Sequence, residues 1–283
     1  MLASLALLHG TGTFSWTRFE VHPSVLIGCA LFAGLYAWGV GPLRRKNGWA
    51  EKVDRIQVVL FATGVAILFF SLNGPIHDLS DNFLFSAHMV QHLLLTLVMP
   101  PLLLAGTPGW LLRPLVRSRA LKATLRALTN PLIAFAIYNV VFAGWHMPGA
   151  YNYALEHHGV HIVQHLMFIA AAVLVWWPVV DPLPELARLT PPTRMLYLFA
   201  LGIPMSVVSA LITLSENVLY PWYEGAPRLF GLTALNDQQM GGLIMWVPGM
   251  MVYWAAITIL FFRWSRREER EEWRERELIN AAR

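Results

Sequence analysis

The chain has 283 residues, of which 56% are hydrophobic and only 13% charged, with a mean hydropathy of +0.50. A soluble domain carries about 25% charged residues, so this composition excludes an ordinary soluble protein and calls for a polytopic membrane protein. The formal charge of +4 is modest and suggests no nucleic-acid partner, and the lone Cys29 excludes an internal disulfide or a CxxC motif.

The N-terminal "MLASLALL" is apolar but short, with no basic residue before it, so no cleavable signal peptide is expected. Seven runs then follow that are long enough to span a bilayer, approximately 24–41, 54–73, 85–106, 130–147, 158–178, 194–214 and 240–262. Prolines in "MPP" at 99–101, "GIP" at 202–204 and "VPG" at 247–249 should kink these helices rather than end them. Trp38, Trp110, Trp145, Trp177, Trp222 and Trp264 fall near run ends, as an interfacial belt would. The reading is one all-α seven-helix transmembrane domain over 1–262. A charged, helix-prone tail follows over 263–283, with i,i+4 pairs such as Glu272 and Arg276.

Basic residues set the expected orientation. With seven spans, 19 of the 21 Lys and Arg residues fall on one side, leaving Arg18 and Arg228 opposite. The positive-inside rule then puts the N-terminus outside and the C-terminus in the cytoplasm. On that map all ten histidines lie on the outer side or in the outer half of the membrane.

Two strings stand out among them. Span 3 opens with "HMVQHL" at 88–93 and span 5 with "HIVQHL" at 161–166, five identities in six positions and the possible remnant of a parallel repeat. Residues i and i+4 share a helix face about 6 Å apart along the axis, so His88 projects with His92 and His161 with His165. Neutral imidazole ligates copper, zinc, iron and nickel. Met89, Met147, Met167 and Met240 on the outer side, with Met99 and Met245 deeper, add thioethers that suit Cu(I). A single such pair is more often a packing feature, and membrane helices use methionine as filler. Duplication on one side, where polar groups are costly, favours a metal or cofactor site.

Other outer groups are Asp78 and Asp81 in "PIHDLSD" at 75–81, which reads as a loop, and His146 in "GWHMPG" at 144–149. Asp237 follows in "NDQQMGG" at 236–242. Asp78 or Asp237 is expected either to orient a ligating imidazole or to cap a helix. Gly241 and Gly242 should permit close helix approach.

The stretch "HMVQHLLLTLVMPPLLLAGTP" at 88–108 resembles the signature of the multi-spanning CtaG family, the assembly factors of caa3-type cytochrome c oxidases. "GWHMPGAYNYALEHHGVHIVQHLMF" at 144–168 and "DQQMGGLIMW" at 237–246 resemble that family's later blocks. The resemblance implies a non-enzymatic role in a bacterial cell membrane. That role is copper delivery to the copper B centre of the oxidase catalytic subunit, with an extracytoplasmic copper chaperone as a further partner. Carried over by residue, it points to His88, His92, His146, His161, His165 and Asp237. From the residues alone two rivals stay open. One is a membrane cytochrome holding haem between His88 and His161 or His92 and His165. The other is a zinc-dependent hydrolase, although neither motif has the glutamate of HExxH.

Overall fold

The computed structural model describes residues 14–17, 19–186 and 189–281. The expectation about "MLASLALL", and the placement of His9, Arg18 and Arg188, lie outside the described residues. Among the described residues the secondary structure is entirely helical. The helices are α1 (Pro23–Asn47), α2 (Arg55–Ser71), α3 (Gly74–Asn82), α4 (Phe85–Gly106), α5 (Arg119–Leu128), α6 (Pro131–His146), α7 (Pro148–Glu156), α8 (His158–Val180), α9 (Pro191–Thr213) and α10 (Ala234–Ala281).

Five of these, α1, α4, α8, α9 and α10, are long and apolar enough to cross a membrane by length and composition. Two bent pairs, α2 with α3 at 45° and α5 with α6 at 61°, bring the number to seven if each pair is one span. The chain is therefore a multi-pass membrane protein whose helices follow the seven apolar runs. Residues 75–81 are not a loop, however. Gly74 takes a φ of 71° and Pro75 follows at the first turn, so the chain turns sharply and begins the short helix α3.

The helices run through their prolines, as expected. In α4 a π-turn over Leu94–Val98 precedes Pro100 and Pro101. Pro100 has no N–H to offer the Thr96 carbonyl. That carbonyl instead accepts a 2.9 Å hydrogen bond from Trp176 Nε1, which ties α8 to α4 at mid-depth. Helix α10 packs along α9 and against the start of α4. Gly242 makes this approach possible, because a Cβ there would lie 2.8 Å from the Thr213 backbone nitrogen. At Gly241 a Cβ would enter the Phe85 ring. Both glycines therefore serve the close contact that the sequence suggested.

The tail continues α10 without a break as a 48-residue helix, roughly 70 Å long at 1.5 Å per residue. Its last turns are exposed and carry the Arg276–Glu272 pair at 3.5 Å. Not every tryptophan joins the belt. Trp38 is exposed, but Trp177 and Trp222 are buried, and Trp222 Nε1 donates to the Asp81 carbonyl at 2.8 Å. Packing inside the bundle has overridden the interfacial preference at these two positions.

Candidate metal centre

The histidine pairs meet. His88 and His92 sit in the first turns of α4, His161 and His165 in the first turns of α8, and His146 in the last turn of α6. Because α4 and α8 run in the same direction and α6 runs against them, all five imidazoles reach the same end of the bundle. All five are at least 93% buried. Within each pair the rings are 4.3 and 4.4 Å apart between centroids, as i,i+4 geometry requires. Across the helices His88 lies 5.5 Å from His161, and His92 lies 5.5 Å from His165 and 6.1 Å from His146. One ligand nitrogen from each of His88, His161 and His165 falls within 4.8 Å of the others. His88 Nε2 and His92 Nε2 are 2.8 Å apart.

The hydrogen bonds leave ring nitrogens free to ligate. His146 donates from Nδ1 to the Phe142 carbonyl at 2.7 Å, leaving Nε2 buried and unpartnered. His161 Nδ1 faces Asp81 Oδ2 at 3.4 Å, and its Nε2 is likewise buried without a partner. Both nitrogens of His165 and Nδ1 of His92 are in the same condition. His88 Nδ1 meets the Tyr223 hydroxyl at 3.2 Å, and that hydroxyl donates onward to the Ser80 carbonyl at 2.7 Å. An unpartnered buried polar atom costs about 1–3 kcal/mol. Several at one point are unfavourable in a purely apolar packing role and suit the donor set of a metal ion. A backbone carbonyl or carboxylate on the far nitrogen of a ligating imidazole is the usual arrangement around such ions.

Asp81, named in the sequence among the outer groups but given no role, is the acid that meets the cluster. Its carboxylate lies 3.4 Å from His161, 3.5 Å from His77 and 4.0 Å from His88. Its signal was the i,i+4 spacing of His77 and Asp81, unreadable while 75–81 passed for a loop. Asp78, one of the two acids proposed to orient an imidazole, instead accepts from Asn82 Nδ2 at 2.9 Å. Asp237, the other and a proposed site residue, is fully buried but has a different task. Its two oxygens accept from the backbone amides of Phe85 at 2.7 Å and Ser86 at 3.1 Å. It thus caps α4 from α10 and sets the start of the helix that carries His88 and His92. Its carboxylate is committed to those amides, so we assign it positioning rather than ligation.

The methionines do not gather round the cluster. Met147, Met167 and Met240 are exposed on the outside of the bundle, and Met89, Met99 and Met245 are packed in apolar clusters. The donor set is therefore imidazole nitrogen. The repeat is also imperfect in detail. Gln91 Nε2 donates to the Ser71 carbonyl at 2.6 Å and contacts His77 Nδ1 at 3.1 Å, whereas the equivalent Gln164 is buried with no partner for either amide atom.

The family model of the cytochrome c oxidase caa3 assembly factor matches residues 34–267. This chain belongs to that family. All five clustered histidines and Asp81 lie within the matched region. Among curated proteins, the chain is 28% identical to an uncharacterized protein of Mycobacterium bovis over 274 residues, 88% of this chain and 40% of that protein. It is 24% identical to one of Mycobacterium leprae over 293 residues, 93% of this chain and 41% of that protein. The chain thus spans about two fifths of the length of these relatives. No solved structure matches it.

If Asp81 holds the His161 tautomer, Asp81→Asn in this chain should lower metal affinity at the cluster about 10–100-fold. Asp78→Asn, which disturbs only the contact to Asn82 within α3, should leave that affinity within about twofold. Competition against a chromogenic Cu(I) chelator measures both. Equal affinities for the two variants would reduce Asp81 to a structural residue.

Proposed function

We propose that the protein binds copper at the five-histidine cluster and passes it to the copper B centre of a cytochrome c oxidase catalytic subunit. The observation that carries this reading is the convergence of five buried imidazoles, four of which, His92, His146, His161 and His165, keep a buried ring nitrogen without a partner. An all-imidazole set accepts zinc as well as copper, and membership of an oxidase assembly family gives copper a destination. Copper is cargo in this account and travels as Cu(I). The cluster sits within the first turns of α4 and α8, a depth from which ligands can be exchanged.

The 19-to-2 division of basic residues turns the histidine end outward, to the side where an extracytoplasmic chaperone would supply the ion. The membrane is then the bacterial cytoplasmic membrane, and the lasting partner is the oxidase subunit. Deleting the gene and measuring copper and haem in the purified oxidase tests the reading. A missing copper B with retained haem supports it. Normal copper with missing haem would favour the haem alternative.

A further inference from the structure

Beside the histidine cluster lies a cavity that shares His161 and Asp81 with it and adds polar side chains that the proposed function does not use. It has a volume of about 250 Å³ and is lined by Glu20, His22, His77, Asp81, His158 and His161, among others. Glu20 and His158 are exposed at its mouth, and His161 of the inner cluster is buried at its inner end. The His22 and His77 rings stand edge to face with centroids 4.7 Å apart. His77 Nε2 is 3.5 Å from Asp81 Oδ2, and that same oxygen is 3.4 Å from His161 Nδ1.

The wall of this vestibule is built rather than accidental. Asn73 Oδ1 accepts from the His22 backbone amide at 2.7 Å, and the Gly74 amide donates to the Glu20 carbonyl at 2.9 Å. Both bonds pin the segment before α1 to the α2–α3 corner. Gly74 is required there, because its φ of 71° is unfavourable with a side chain and a Cβ would collide with the Phe19 ring. The result holds two imidazoles side by side at the outer end of the bundle.

We propose that this vestibule is a second copper-binding station. His22 and His77 take up Cu(I) there before Asp81 and His161 admit it to the inner cluster. The proposal rests on the copper reading of that cluster. Two imidazoles are good ligands for such an ion, and the carboxylates of Glu20 and Asp81 that line the cavity attract cations. His77 can give Nε2 to the metal if its proton moves to Nδ1. The Gln91 amide, whose Nε2 contacts Nδ1 at 3.1 Å, would then turn so that Oε1 accepts a hydrogen bond from Nδ1–H. Asp81 stands between the two stations, within 4 Å of a histidine in each.

The test uses the full chain in detergent, titrated with Cu(I) against a chromogenic chelator, with stopped-flow loading of the inner site. Wild type should bind two equivalents. His22→Ala/His77→Ala should bind one and load the inner cluster at least tenfold more slowly. His92→Ala/His165→Ala should keep the vestibule equivalent. His77→Gln, a milder change beside Gln91, should lose the same equivalent as the double vestibule variant and guards against misfolding. A single equivalent in wild type would overturn the proposal, as would two equivalents loaded at the wild-type rate in the vestibule variants. One equivalent that survives in His22→Ala/His77→Ala and disappears in His92→Ala/His165→Ala would overturn it while leaving the inner site intact. No copper in any form of the protein would overturn both readings.

Discussion

Replacing His92 and His165 together with alanine should abolish tight copper binding at the inner cluster, with a fall in affinity well beyond 100-fold. Losing an outer partner of a metal ligand costs about 10–100-fold, and this variant removes two candidate ligands from two different helices. The rings lie 5.5 Å apart across the α4–α8 contact, so no single neighbour replaces both. Folding should survive the change. His165 has both ring nitrogens buried without partners, and His92 has one, so truncation removes polar atoms whose burial is itself unfavourable. Size-exclusion elution and membrane accumulation should match wild type while chelator competition reports the loss. Unchanged affinity in the double variant would assign these histidines to packing.

In the cell, deleting the protein should leave the oxidase catalytic subunit made and inserted but inactive, with copper B largely absent and haem retained. The reasoning is a division of labour. A protein whose buried polar chemistry is a set of exchangeable imidazoles acts on metallation, and nothing in that set equips it to make haem. His92→Ala/His165→Ala should reproduce the deletion. Arg274→Ala, in the exposed helical tail, should leave oxidase copper close to wild type, because a solvated charge contributes little. Metal and haem analysis of oxidase purified from each strain decides it. A fully metallated oxidase in the deletion strain would remove the assembly role.

Much of this was legible from local periodicity. The apolar runs marked the helices, and i,i+4 spacing placed His88 beside His92 and His161 beside His165, because a helix face is set within one turn. Glu272 and Arg276 paired for the same reason. What depended on tertiary approach was not legible. Asp81 reaches His161 only because α3 packs against the start of α4, and a glycine–proline start hid the helix that carries it. Tyr223 reaches His88 across 135 positions of chain. Asp237 was noticed as an acid near the site, yet its contact with the amides that begin α4 spans 152 positions, so its capping role came only with the fold. The methionines misled because hydropathy does not say which face of a helix a thioether occupies, and Met147, Met167 and Met240 occupy the outer one.

The central claim is that imidazole nitrogens of the inner cluster hold the copper. Copper-edge X-ray absorption on the purified His22→Ala/His77→Ala protein, loaded with one equivalent of Cu(I), tests it most directly. This account predicts a first shell of nitrogen with the outer-ring scattering of several imidazoles and no sulfur. A shell dominated by sulfur, from the methionines or Cys29, or one lacking the imidazole pattern, would contradict it.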